Sequence, residues 1–164
     1  MSSAQADPTD SFLVKLVTNP VTTWWIRTIA SPLDPILMRL TNGRFATMGP
    51  IGDTMITLTM TGRRSGKPRS VQLTSMEHGG ERLVVASAMG AQTHPAWRYN
   101  LEANPEIEVQ AAGERYRARA ELLSDEEKAA IWDDFRDQVP MIHVYEGRTD
   151  RNIRVFRIRR LEKD

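Results

Sequence analysis

The chain has 164 residues, 40% apolar and 26% charged, with 22 Lys and Arg against 21 Asp and Glu for a net charge of +1. That length and balance suit one soluble domain with its own hydrophobic core, and the near-zero charge argues against a bulk nucleic-acid-binding role. The lack of cysteine excludes disulfides, thiolate metal sites and cysteine nucleophiles, and it fits a cytoplasmic chain.

Residues 1–10 are small and polar and are expected to form a flexible N-terminus. No basic patch precedes an apolar stretch, so no signal peptide is expected. Arg27 and Asp34 interrupt the longest apolar run, so no bilayer-spanning helix is expected. Residues 11–45 form a helical segment in which Phe12, Leu16, Trp24, Trp25, Ile29, Leu33, Ile36, Leu37 and Leu40 recur at helical spacing. Pro20, Pro32 and Pro35 divide it into short helices. Two readings stand. The segment is a lid packed on the core, or it walls an apolar substrate entrance and makes weak peripheral contact with the inner face of the plasma membrane. Trp24 and Trp25 beside Arg27 suit the second.

Residues 46–164 are expected to form one further domain. Residues 41–53 read as a loop, rich in Gly, Pro and Asn. Ile56, Leu58 and Met60 then alternate with Thr57, Thr59 and Thr61, which is the period of a strand. A second strand runs through Val71 and Leu73 to Thr74, "HGG" at 78–80 is a turn, and Arg82 to Ser87 is a more buried strand. A helix is expected from Thr93 to Ala103, capped by Thr93 or His94, with Pro95 in its first turn and Asn104-Pro105 after it. Strands follow at Ile107 to Ala111 and Tyr116 to Leu122. Ser124 and Glu127 spell a capping box for a helix carrying Ile131, Trp132 and Phe135. Val139 to Thr149 reads as a loop. A last strand, Arg154 to Arg160, points Phe156 and Ile158 inward and Arg157 and Arg159 outward. The sum is an α+β fold around a barrel of about six antiparallel strands.

Chemistry concentrates in two stretches. In "TGRRSGKPR", Thr61 to Arg69, four of nine side chains are cationic, and Gly62 and Gly66 loosen the backbone. Such a turn is either a solvated hairpin or an anion cradle built from backbone N–H groups and guanidinium forks. The second stretch, Val85 to Pro105, leaves a strand past Ser87 and Gly90 and enters the helix with His94, Trp97 and Asn100. His78, His94 and His143 show no metal-ligand spacing, so no metal site is expected. There is no nucleophile elbow and no carboxylate dyad, so an enzyme built from these residues needs a cofactor for the hard chemistry.

"LTMTGRRSGKPRSVQL", "LVVASAMGAQTHPAWRYNLEANPEIEV" and the "TDR" at 149–151 resemble the deazaflavin-dependent nitroreductase family over residues 55–160. That family belongs to class A of the actinobacterial oxidoreductases that use coenzyme F-420. The resemblance implies a split β-barrel of flavin-reductase, FMN-binding type, with N-terminal and connecting helices. It implies reduced F-420, with its phosphate and polyglutamate tail, as cofactor. Arg63, Arg64, Ser65 and Gly66 match the tail-binding turn, with Arg69 reaching the phosphate. Ser70, Val71, Gln72, Leu73 and Thr74, with Val85, Ala86, Ser87 and Ala88, match the strands that line the ring. Ala96, Trp97, Arg98, Tyr99 and Asn100 match the helix that closes the site, and Ile142 and Tyr145 the loop on the substrate side.

Tyr145 and Ser87 are the expected catalytic residues, hydrogen-bonding a substrate oxygen, with the final proton from Tyr145 or solvent. The chain departs from the family at Ala88-Met89-Gly90, where a lysine and glycines are common, and at Val71-Gln72, where Asn-Pro is common. Thr74, Val139 and Ile142 stand where the best-known members have tyrosines. The implied partner is a small apolar electrophile, namely a quinone, an activated enone or a nitroaromatic. The competing expectation is a non-catalytic protein that binds a fatty acid or other lipid on the same barrel.

Overall fold

A computed structural model of the chain describes residues 19–30, 33, 36, 37, 40, 41, 45, 46, 49, 50 and 55–162. The expected flexible terminus at 1–10, and Phe12, Leu16, Pro32 and Pro35, lie outside the described residues. Helix α1, Pro20–Trp25, opens on a proline whose missing N–H a first turn does not need. Asn19 Oδ1 accepts from the Val21 N–H at 2.9 Å. A π-helical turn, Ile26–Ala30, continues it. The loop expected at 41–53 holds one short antiparallel pairing, β1 (Phe45–Ala46) with β2 (Gly49–Pro50).

Six strands close into an antiparallel barrel in the order β3-β4-β5-β8-β7-β6. They are β3 (Met55–Thr61), β4 (Pro68–His78), β5 (Glu81–Val85), β6 (Glu106–Ala111), β7 (Glu114–Leu122) and β8 (Val155–Arg160). The expected six-stranded barrel is therefore present, with β4 longer at both ends than its alternation suggests. β4 pairs with β3 through its first seven residues and with β5 through its last four. Leu58 opposite Val109 brings β6 onto β3 and closes the ring. Two tight turns depend on left-handed backbone. Gly79 and Gly80 (φ 59° and 78°) join β4 to β5, and Ala112-Gly113 (φ 48° and 79°) joins β6 to β7.

Strand alternation divides the buried residues into two cores. Inside the barrel, Ile56, Leu58, Met60, Val84, Val109, Phe156 and Ile158 pack together. β7 contributes Ala118 and Ala120, which leave room for Phe156 on the neighbouring strand. Outside the wall, Leu83 and Val155 meet Trp132 and Phe135 of helix α3 (Asp125–Gln138). α3 begins with the expected capping box: Glu127 N–H donates to Ser124 Oγ at 3.1 Å and Ser124 N–H to Glu127 Oε2 at 2.8 Å.

Two helices differ from expectation. The one read from Thr93 begins at Ala96 and ends at Ala103, here α2. Pro95 is its N-cap rather than part of its first turn, and a residue before proline is steered away from helical backbone, which keeps His94 outside. The loop read at 139–149 contains α4, Met141–Glu146. Six residues give one buried i, i+3 pair, Ile142 and Tyr145, too short for a period to show.

Glu146 ties α4 to α3. It accepts from Trp132 Nε1 at 2.7 Å and from Arg136 Nε and Nη2 at 2.9 and 3.1 Å. Partial burial pushes its pKa up, but the Arg136 and Trp132 hydrogen bonds outweigh that and hold it below the usual carboxylate value. A depressed folded-state pKa stabilises the fold above the unfolded value, and that stabilisation is lost as pH falls through the folded one. Glu146→Gln should therefore lower Tm at pH 7, and the gap from wild type should shrink below about pH 4 in scanning calorimetry. Phe156→Ala, which empties the barrel centre, should cost about 3–5 kcal/mol in urea unfolding.

Candidate functional site

The loop between β3 and β4 is a self-bonded turn. Gly62 N–H donates to Lys67 O at 2.9 Å, Gly66 N–H to Gly62 O at 2.8 Å, and Lys67 N–H to Ser65 Oγ at 3.3 Å. Gly66 sits at φ 64°, and a Cβ on Gly62 would lie 2.8 Å from Ser65 Oγ. Both positions therefore favour glycine. Helix α2 holds this turn from the side. Arg63 N–H donates to Asn100 Oδ1 at 3.1 Å, and Asn104 Nδ2 donates to Thr61 O at 3.2 Å. The guanidinium groups of Arg63 and Arg98 lie 4.9 and 4.7 Å from the centre of the Tyr99 ring.

Between turn and helix lies a cleft of about 680 Å³. Gly62, Arg63, Arg64, Ser65, Arg69, Ser70 and Val71 line one side; His94, Ala96, Trp97, Tyr99 and Asn100 line the other. Trp97 packs on the barrel core, 5.9 Å from the Phe156 ring, and gives the cleft an apolar wall. Among the described residues, no carboxylate lies within ion-pair distance of Arg63, Arg64, Lys67 or Arg69. Arg82, Arg98, Arg136, Arg154 and Arg157 are each paired. The cleft thus concentrates uncompensated positive charge beside an aromatic wall, an arrangement suited to a flat molecule with an anionic tail.

Ten of the residues expected at the site line this cleft: Arg63, Arg64, Ser65, Arg69, Ser70, Val71, Ala96, Trp97, Tyr99 and Asn100. Gly66 shapes the turn, and Arg98 stands behind Tyr99 bonded to Glu102. Leu73 packs on the barrel core and Gln72 occupies the opposite face of β4. Val85 packs on the outer core, Ala86 is fully buried, and Ser87 leads into a short turn, Ala88–Gly90, closed by Gly90 N–H donating to Ser87 O at 3.0 Å. Thr74 lines a separate cavity of about 440 Å³ with Met76, Val139 and Met141.

Ile142 and Tyr145 are also away from the cleft. Both are buried in the outer core, Tyr145 at 7% exposure with its hydroxyl 4.0 Å from Met141 Sδ. Burial pushes the Tyr145 pKa up, against the pull of Arg148, so the phenol stays neutral. α4 turns both side chains toward α3 and the barrel wall, which the reading of 139–149 as a loop left open.

Sequence reasoning undervalued two residues. His94, considered as a cap, lines the cleft. Arg151, noted within "TDR", reaches back to the segment 86–94. Burial, followed by Arg98, Arg151 and Arg154, holds the His94 pKa below its ordinary value against the opposing effect of Glu102. The Asn100 contact is testable: Asn100→Ala should speed hydrogen exchange at the Arg63 amide roughly tenfold, the scale of one lost hydrogen bond, with barrel amides unchanged.

Residues 35–159 match the family model described as F420H(2)-dependent quinone reductase. The F420H(2)-dependent quinone reductase Rv1261c of Mycobacterium tuberculosis is 31% identical over 126 residues, covering 75% of this chain and 85% of that protein. A solved structure described as an F420-H2 dependent reductase (FDR-A) is 35% identical, covers 64% of this chain and 93% of its own, and superposes with a TM-score of 0.57. Another, described as a domain-swapped dimer, is 31% identical, covers 78% and 99%, and gives a TM-score of 0.60. HutZ of Vibrio cholerae shares the fold alone, at 13% identity over 80% of this chain and 92% of its own, with a TM-score of 0.51.

Proposed function

The chain belongs to the F420H(2)-dependent quinone reductase family, and on that premise we propose that it uses reduced coenzyme F-420 to reduce a small apolar quinone. The observation that carries this reading is the set of unpaired cations facing the Trp97 wall. Coenzyme F-420 joins a flat ring to a phosphate and a polyglutamate tail, so the residues present fit it. Arg69 would hold the phosphate, Arg63 and Arg64 the tail, and Val71 and Trp97 the ring. When bound, the reduced deazaflavin supplies a hydride.

The protein's own contribution is alignment and the exclusion of water by Val71 and Trp97. Ser87 is the proposed hydrogen-bond partner of the acceptor oxygen, with the final proton taken from solvent. Tyr145, buried in the outer core, contributes by packing α4 against α3. The acceptor would have to lie against the ring at the Val71 and Trp97 wall, since hydride transfer needs the reacting atoms in contact. Activated enones and nitroaromatics are further proposed acceptors, and nitroreduction in particular would align the chain with the class A nitroreductases.

A second element of the proposal rests on the N-terminal segment. Val21, Trp24, Ile36 and Leu40 are 75%, 59%, 58% and 78% exposed. No helix among the described residues is long and apolar enough to cross a membrane. We place this surface against the headgroup region of a bilayer, weakly and reversibly, close to apolar acceptors dissolved there. Replacing Trp24 and Trp25 by Ser should abolish cosedimentation with phosphatidylcholine vesicles and leave reduction of a water-soluble quinone intact. Cosedimentation equal to wild type would remove the membrane contact.

The cofactor reading predicts that F-420 binds much more tightly than FMN, which lacks the polyglutamate tail, in a fluorescence titration. Arg69→Ala should weaken F-420 binding by about 1–3 kcal/mol, the range for a charge-assisted hydrogen bond. Arg63→Ala should cost less, since a tail contact is more exposed and better screened. Equal affinity for FMN, or no effect of either substitution in a folded protein, would return the turn to a solvated hairpin.

A further inference from the structure

The segment that follows β5 has an uncommon backbone. Ala88, Met89 and Gly90 all lie in the left-handed region, at φ 49°, 55° and 77°. Two of the three carry side chains, for which this conformation is unfavourable. Something outside the segment must hold it, and Arg151 makes the contacts to do so. Its Nη1 donates to Ala86 O at 2.8 Å and its Nε to Ala91 O at 2.7 Å. Its Nη2 donates to Ser87 O. Nη1 also lies 3.2 Å from His94 Nδ1. Among the described residues, no carboxylate is within ion-pair distance of Arg151, so backbone carbonyls and one imidazole receive its hydrogens.

A guanidinium has donors and no acceptor. His94 Nδ1 must therefore present its lone pair to Arg151, and in the neutral ring the proton sits on Nε2. His94 lines the cleft, so the donor left to a ligand there is Nε2–H. The ring is neutral at pH 7 because burial comes first in lowering its pKa, with Arg98 of α2 and Arg151 and Arg154 adding to it against Glu102 of α2. Tyr99 meets it edge-on at 6.2 Å.

We propose that Arg151 is a positioning residue of this cleft: it pins the left-handed turn and selects the His94 tautomer whose Nε2–H donates to an anionic oxygen of the bound cofactor. The inference rests on the F-420 reading for the identity of the anion, while the tautomer and the pinned turn are properties of the chain alone. Lysine at 151 would keep the charge but could not serve four acceptors from a planar fork.

The test uses the full chain labelled with 15N histidine. At neutral pH the wild-type His94 ring should show an unprotonated Nδ1 and a protonated Nε2. Arg151→Lys should give a mixture of tautomers and accelerate amide exchange at Met89 and Gly90. F-420 titration should show affinity reduced about 5- to 20-fold in Arg151→Lys and in His94→Phe. His94→Gln, which keeps a donor, should recover most of it. A wild-type ring protonated on Nδ1 would overturn the proposal without any variant. A single Nε2–H tautomer with unchanged affinity in a folded Arg151→Lys would overturn it as well. Arg69→Ala is the control for the cofactor reading: if wild type binds no F-420, that reading fails, whereas the tautomer still decides the role of Arg151.

Discussion

Four cations on a short loop repel one another, and the β3–β4 turn keeps its shape because other contacts restrain it. The bond from Arg63 N–H to Asn100 Oδ1 is the link on which the site depends. It joins the hairpin to helix α2 across an open cleft, and Asn104 secures the same helix to the end of β3. With the hairpin held at its base and side, the charged side chains extend without having to pair. The cleft is therefore charged before a ligand arrives, and less ordering is left for binding to complete.

The rest of the charge is arranged differently. Arg157 lies between Glu81 and Glu127, Arg136 between Asp133 and Glu146, and Arg154 against Asp125. These pairs cover the outer faces of β8 and α3 and leave little field there. A net charge of +1 thus conceals a local excess at one hairpin. Arg151, near His94 at the cleft's edge, adds to the cleft's positive charge, since carbonyl dipoles surround it and no carboxylate among the described residues neutralises it. The hairpin is therefore a ready destination for an anion approaching the described surface.

Much of this was legible in the sequence for definite reasons. Ile56, Leu58 and Met60 carry a strict period of two, Ser124 and Glu127 spell a capping box, and the Gly-bounded basic stretch reads as a turn between two strands. What was not legible depended on distance along the chain or on shortness. Nothing in the neighbourhood of Arg151 shows that its partners lie near residue 86. Met141–Glu146 is too brief to display a helical period, so the inward packing of Ile142 and Tyr145 could not be read from spacing. Pro95 gave a helix signal, but proline suits both the first turn and the position before it, so the signal alone could not place the start at Ala96. Ala88 and Met89 adopt a conformation that their residue types argue against, so local propensity could not disclose it.

β4 is one continuous strand of eleven residues, and it borders two cavities. Its start, through Arg69 and Val71, borders the charged cleft, and its later part, from Thr74 to Glu77, borders the methionine-lined cavity under α4. Three residues of extended backbone, about 10 Å, separate Val71 from Thr74. Pairing with β3 holds both ends of that span in register, Val71 opposite Leu58 and Thr74 opposite Met55. The strand is a ruler: molecules in the two cavities would keep a separation that loop motion cannot adjust. Variation in what this barrel accepts is then confined to side-chain size at fixed stations, because inserting or deleting one residue between them would turn every later side chain to the other face.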